Sequence, residues 1–257
     1  RLVFLRAIDN ETDEHALSDA MRFAERHASH LAIPYEVLDI RLAGRERGAK
    51  TLASSLVKAV KESGAYRVFL PVSRDVLEGK RRALHEVRWV EEFRQRKVAM
   101  VSDWEAPPLP TDRGPRVLIP ALTRLKGEPV DIAQALTESS IFPDVDIVAA
   151  KVVEIPPIVP LYSVYRPDSY VNYEDEISVF RLLPSWAVIR RMHPTVVLVR
   201  ETGRDVAQFA EERKVDVIVI EGEWEEKGRG FLFKKERSVA ENARCTVVVT
   251  IPPEAGL

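Results

Sequence analysis

Short apolar runs, each followed by a stretch of helical periodicity, alternate along most of the chain, and this alternation restricts the fold more than any other feature. LVFLRAI (2–8), YEVLDIRL (35–42), YRVFLPV (66–72) and VAMVS (98–102) read as strands. Between them Ala16, Ala20, Ala24 and Leu31 recur at helical spacing. TLASSLVKAVKESG (51–64) reads as a helix stopped by Gly64, and Leu84, Val87, Val90 and Phe93 share one helical face. Strand and helix in this order predict a parallel sheet flanked by helices.

EAPPLPTDRGP (105–115) interrupts the pattern with four prolines, which suit neither ladder nor helix, and reads as a linker. Then the pattern restarts. RVLIPAL (116–122), VDIVAAKVV (145–153), TVVLV (195–199), VDVIVI (215–220) and TVVVTI (246–251) read as strands, and VDIAQALTES (130–139), GRDVAQFAEERK (203–214) and RSVAENA (237–243) as helices. The proline-rich stretch before TVVLV reads as a loop followed by one broken helix. Its Tyr162, Tyr165, Tyr170 and Tyr173 either form an interaction surface or pack over their own domain. A repeat of about 115 residues is too long for a solenoid and predicts a tandem duplication: domains at 1–104 and 116–252, a linker at 105–115, and a first copy shorter by a strand and a helix.

Composition narrows the class. The chain has 257 residues, 46% hydrophobic and 30% charged, with a formal net charge of −2, so it can bury a sizeable core and has no global basic field to draw nucleic acid. The halves are alike in charge: residues 1–114 carry 20 Lys and Arg against 18 Asp and Glu, the remainder 18 against 22. The single cysteine, Cys245, excludes an intramolecular disulfide and any CxxC motif. With no long apolar run and no signal-peptide pattern, a soluble, cytoplasmic protein is expected. A start at Arg1 almost directly before a strand also fits a piece of something longer.

These residues resemble the universal stress protein family in tandem arrangement, over nearly the full length. In the second half RVLIPAL resembles the family's first strand, VDIVAAKVVEIPP its second strand and exit, VRETGRDVAQFAEERKVDVIVIEG its third strand through the fourth strand's terminal glycine, and SVAENARCTVVVTI its final helix and strand. The resemblance implies two tandem open parallel-sheet α/β sandwich domains of the adenine nucleotide alpha hydrolase-like kind. It also implies a candidate site for ATP or another adenine nucleotide with Mg²⁺: Asp9 after the first strand, Val152 after the second strand of the other half, and Gly222, Gly228, Gly230 and Ser238 in the phosphate loop. Glycines in such a loop allow close backbone approach, and the following helix N-terminus favours an anion.

The chain departs from the family's G-x2-G-x9-G-[ST] loop. Pro71, Val72 and Ser73 occupy the first glycine's place in the first half. In the second, Leu122 stands at the acidic position, Arg237 replaces the last glycine, and the spacing does not fit. Glu221, Glu223, Glu225 and Glu226 would repel a triphosphate unless Lys227, Arg229, Lys234, Lys235 or Arg237 offset them or Mg²⁺ is recruited. Lys80, Arg81 and Arg82 after Gly79 are either an anion site or a solvated cluster. His27 and His30 beside Glu25 lack further clustered metal ligands and read as surface residues. No nucleophile with its base stands out among Asp39, Asp103, His85 and His193.

The expected function is therefore a non-catalytic regulatory or interaction module with degenerate nucleotide sites, its halves paired with each other. Possible partners are a second copy of the chain or a membrane transporter of which it forms the cytosolic part. The alternative is an adenine-nucleotide sensor for ATP, AMP or a cyclic dinucleotide. An adenylylating enzyme is disfavoured, because a dedicated phosphate loop and an evident acceptor site are both missing.

Overall fold

In the computed structural model the described residues are 2–8, 22, 35–41, 49–65, 67–72, 74–78, 90–91, 93–102, 110, 113–122, 146–158, 192–224, 231–232 and 234–253. They contain nine strands: β1 (Leu2–Ile8), β2 (Tyr35–Arg41), β3 (Arg67–Pro71), β4 (Lys97–Ser102), β5 (Arg116–Ala121), β6 (Asp146–Glu154), β7 (Met192–Val199), β8 (Val217–Glu221) and β9 (Thr246–Ile251). The helices among them are α1 (Ala49–Ser63), α2 (Arg74–Glu78), α3 (Thr202–Glu212) and α4 (Lys234–Asn242). Strands β1 and β2 form a parallel pair, and the other seven make one sheet in the order β3-β4-β9-β8-β5-β6-β7.

All neighbours in the large sheet run parallel except β4 and β9, which are antiparallel. The alternation of strand and helix thus gives the mostly parallel α/β sheet expected, and the one reversed pair falls where a strand preceding the proline-rich stretch at 105–115 meets the last strand. Within β5–β9 the spatial order is third, second, first, fourth, fifth. Strand β5 therefore has β6 on one side and β8 on the other, and the strand order reverses beside it. In open α/β sheets this reversal opens a crevice at the carboxyl ends of the strands.

The reversed seam is symmetric in register. Val72 N–H donates to Val101 O at 3.0 Å just beyond β3, and Gly222 N–H donates to Thr250 O at 2.8 Å just beyond β8. Pairing Pro71 with Val101 and Glu221 with Thr250 makes β3–β4 the counterpart of β8–β9. Under that correspondence Met100 and Val249, which face each other, exchange places, as do the pairs Val98–Ile251 and Ser102–Val247. A local two-fold axis passes between Met100 and Val249, the arrangement of an isologous interface.

Central strands are apolar on both faces, the pattern of strands buried on both sides. All six residues of β9 are buried, as are Val117 to Ala121 of β5 and Val217 to Ile220 of β8. On one face, Val68, Leu70, Val98, Met100, Ile218, Ile220, Val247 and Val249 form a continuous core with Val206 and Ala210 of α3 and Val239, Ala240 and Ala243 beside α4. Helix α1 adds Val60 to this core and leaves Lys58, Lys61 and Glu62 outside. It ends at Gly64, whose φ of 66° is the left-handed conformation a helix terminator adopts.

Helix α3 ends in the same way on a residue less suited to it. Lys214 N–H donates to Glu211 O at 3.0 Å and Val215 N–H to Ala210 O at 2.9 Å, with Lys214 at φ 54°. This is a Schellman motif with lysine in the left-handed position, where a Cβ costs roughly 1 kcal/mol. Lys214→Gly should therefore stabilise the chain by up to about 0.5 kcal/mol in urea unfolding, the gain being reduced by glycine's greater freedom when unfolded. Destabilisation would mean that the lysine side chain contributes more than its backbone costs.

Among the described residues no helix is long and apolar enough to cross a membrane.

Candidate functional site

The crevice beside β5 is bounded by the carboxyl ends of β5, β6 and β8 and by the N-terminal ends of α3 and α4. Helix N-termini carry partial positive charge on unpaired N–H groups, so an anion is favoured between them. In this chain an anion is already present. The Glu154 carboxylate, at the last position of β6, accepts a hydrogen bond from Thr202 Oγ1 at 2.6 Å and an ion pair from Lys235 Nζ at 2.9 Å. Thr202 is the first residue of α3 and Lys235 the second of α4, so one side chain joins the starts of two helices. The Thr202 hydroxyl, and then the Lys235 ammonium, hold the Glu154 carboxyl below its ordinary value.

That depressed folded-state value fixes the sign of the pH dependence. Stability from Glu154 is present above its unfolded pKa and is lost as pH falls through the lower folded one. Because the Glu154 and Lys235 side chains are 48% and 42% exposed, solvent screening limits the contribution to a few tenths of a kcal/mol. Glu154→Gln should thus lower the melting temperature by about 1 °C at neutral pH, and the difference should shrink as pH falls below the ordinary glutamate range, read by thermal denaturation against the parent chain.

The core beneath the carboxyl ends of these strands is apolar. Leu122 and Val152 belong to the same buried cluster as Phe231 and Leu232, which end the connection between β8 and α4. Leu122 directly follows β5, so the position where the resemblance implies an acidic group carries a buried leucine. Val152 is likewise buried, within β6 rather than beyond it.

Gly222 is required for packing at this rim. A Cβ there would lie 2.6 Å from Phe231 O and 2.8 Å from Val249 Cγ1. Around it the two ends of the connection are drawn together: Glu223 N–H donates to Phe231 O at 3.0 Å, and Trp224 packs edge-on against Phe231 with ring centroids 5.5 Å apart. Trp224 Nε1–H also donates to Pro252 O at 2.8 Å, and Arg237 Nη2 donates to Leu232 O at 3.1 Å. The close backbone approach that glycine permits here is made by the chain itself.

Ser238, read from the sequence as a phosphate-loop residue, is the fifth residue of α4, beyond the unpaired N–H groups of its first turn. Its Oγ and backbone lie against Gly203, with Oγ 2.0 Å from where a Cβ on Gly203 would be, so it belongs to the α3–α4 contact. Lys235, named as a possible counter-charge, is paired with Glu154. Glu221 and Glu223 are half-buried. Asp9, Gly228 and Gly230 lie outside the described residues, as do Glu225, Glu226, Lys227, Arg229, the basic cluster at Lys80–Arg82, His27, His30 and the four tyrosines of the proline-rich stretch. Among the described residues no group of His, Cys, Asp and Glu is arranged to hold a metal ion.

Sequence reading missed the Glu154, Thr202 and Lys235 group, because its members come from three separate elements and no spacing rule links them. It also missed the cross-chain contact of Trp224, over whose ring the Arg94 guanidinium lies 5.6 Å from the centroid. A lone tryptophan among glutamates in the β8–α4 connection was the available signal.

No protein-family model matches the sequence, and no curated protein matches it. Solved structures do match the fold. A candidate universal stress protein from Pseudomonas aeruginosa UCBPP-PA14 aligns over 98% of this chain and 83% of its own, with a TM-score of 0.53 at 10% identity. A functionally unknown protein from Pseudomonas aeruginosa PAO1 aligns over the same shares, with a TM-score of 0.52 at 10% identity. A universal stress protein from Archaeoglobus fulgidus DSM 4304 aligns over 99% of this chain and 86% of its own, with a TM-score of 0.49 at 15% identity. The mostly parallel seven-stranded α/β architecture of this chain is similar to that of the candidate universal stress protein.

Proposed function

We propose that the chain is a non-catalytic regulatory or interaction module of the universal stress type, built from two related halves, whose second-half crevice no longer receives a nucleotide's phosphates. The observation that carries this reading is the crevice's own occupancy: the Glu154 carboxylate joins the N-terminal ends of α3 and α4, above an apolar core that includes Leu122 and Val152. A phosphate placed there would have to displace a carboxylate from Lys235 and would meet Glu154 as a like charge. Glu154 is about half exposed, so at about 4 Å in water-like surroundings that repulsion is on the order of 1 kcal/mol per charge pair, added to the loss of the Lys235 pairing.

The symmetric register of the β4–β9 seam supports descent of the halves from one ancestral unit, paired within the chain as two subunits would pair. Such a module would act in the cytoplasm, either free or as the cytosolic region of a membrane transporter, and would work through surfaces rather than through chemistry.

Thermal denaturation with ATP, AMP and cyclic dinucleotides, each with and without Mg²⁺, tests the reading. The expected result is an unchanged melting temperature. A ligand present at 100 times its Kd stabilises by about 2.7 kcal/mol, which raises the midpoint by roughly 5 °C or more in a chain of this size. A rise of that kind would favour the sensor reading, and its loss or retention in Asp9→Ala would then assign the responsible half.

A further inference from the structure

The rim of the second-half crevice is fastened to the other half of the chain. Trp224 leaves β8 two residues after Gly222 and is held on three sides: by Phe231 edge-on, by Pro252 O through its indole N–H, and by Arg94, whose guanidinium lies over its ring. Arg94 belongs to the segment that enters β4. It is ion-paired to Glu91 at 3.1 Å, and the neighbouring Arg96 donates to Ala65 O at 2.9 Å, so the segment is tied to the start of β3 as well. The antiparallel seam produces this juxtaposition. Because Val98 faces Ile251, the entry to β4 comes to lie beside the exit of β9 and hence beside the β8 rim.

We infer that Arg94 is a positioning residue for the crevice rim, and that the rim and the N-terminal half are thermodynamically coupled through the Arg94–Trp224 contact. Moving the rim exposes the face of Trp224 that Arg94 covers, and releasing Arg94 removes one of the three restraints on Trp224. By reciprocity, opening the rim favours release of Arg94 by the same free energy by which releasing Arg94 favours opening of the rim, so a partner or ligand that shifts the rim biases the segment entering β4. A cation over an indole ring that is partly shielded from water is strong enough to bias a local opening equilibrium. The inference is independent of whether a nucleotide binds, since it concerns the two ends of the β8–α4 connection and the first half alone.

Native-state hydrogen exchange tests it at one amide. Glu223 N–H, bonded to Phe231 O across the neck of the connection, reports rim opening, while Val219 and Ile220 N–H in β8 report opening of the sheet. Arg94→Ala should speed exchange at Glu223 roughly three- to tenfold and leave Val219 and Ile220 unchanged. In a Trp224→Leu background the same substitution should have no further effect at Glu223, which a general loss of stability would not reproduce. Equal Glu223 exchange with and without Arg94 would overturn the coupling. So would equal acceleration at Glu223, Val219 and Ile220, because the effect would then be global.

Discussion

Gly203→Ala should destabilise the chain by roughly 2–4 kcal/mol, the largest effect expected of any methyl-sized change at the described positions. Gly203 is buried in the first turn of α3, and a Cβ there would lie 2.0 Å from Ser238 Oγ, 2.5 Å from Ser238 O and 2.7 Å from Ser238 C. The hydroxyl can rotate away; the carbonyl cannot, because it belongs to the backbone of α4. The two helices would have to separate, opening the shared core around Val206, Ala210 and Val239. Urea unfolding of Gly203→Ala, alone and with Ser238→Ala, measures this. The second substitution should recover little, since the backbone collision remains. A single-variant loss below about 0.5 kcal/mol would mean that α3 and α4 approach less closely than described.

Asp216→Ala should cost about 2–3 kcal/mol by a different route. The Asp216 carboxylate, 17% exposed, accepts a two-pronged bond from Arg113 at 2.7 and 2.9 Å and a third bond from the Arg116 backbone N–H at 2.7 Å. It therefore fastens the proline-rich linker to the start of β5 and both to the start of β8. Alanine leaves a guanidinium and a backbone donor without their acceptor. Arg113→Ala should cost less, about 1 kcal/mol, because that side chain is 40% exposed and Asp216 keeps its bond from Arg116. If the two variants lost equal stability, the Arg116 bond would carry no weight.

Where apolar pattern alone determines an element, the sequence reading and the structure agree. TVVVTI is a strand buried along its whole length, RVLIPA and VIVIE are its parallel companions, and the helix ending at Gly64 stops there. Disagreements arise where charge or proline masks the pattern. Strand β7 begins at Met192, three residues earlier than the run TVVLV suggests, because Pro194 argues against a strand; β7 lies at the sheet edge, where a missing donor is tolerated. Pro120 sits inside β5, beyond the last β5–β8 pair at Leu118.

Helix α4 begins at Lys234 rather than Arg237, since Lys234, Lys235 and Glu236 show no apolar periodicity although Glu236 is buried. Helix α2 went unread: RDVLE offers only Val76 and Leu77 as apolar cues, and both are fully buried.

In the sequence the candidate site is placed only by the resemblance, whose departures are visible at Leu122 and Arg237; the strand reversal beside β5 comes from the structure. What fills it depends on Glu154, Thr202 and Lys235 meeting across three elements, and on Phe231 and Trp224 closing on each other. Only tertiary structure brings those groups together.

Isothermal titration of Mg²⁺-ATP into the full chain tests most directly whether the crevice is occupied by the protein's own groups. The account predicts no saturable heat up to about 1 mM nucleotide, corresponding to binding weaker than about −4 kcal/mol. Saturable binding in the low micromolar range that is retained in Asp9→Ala would contradict it.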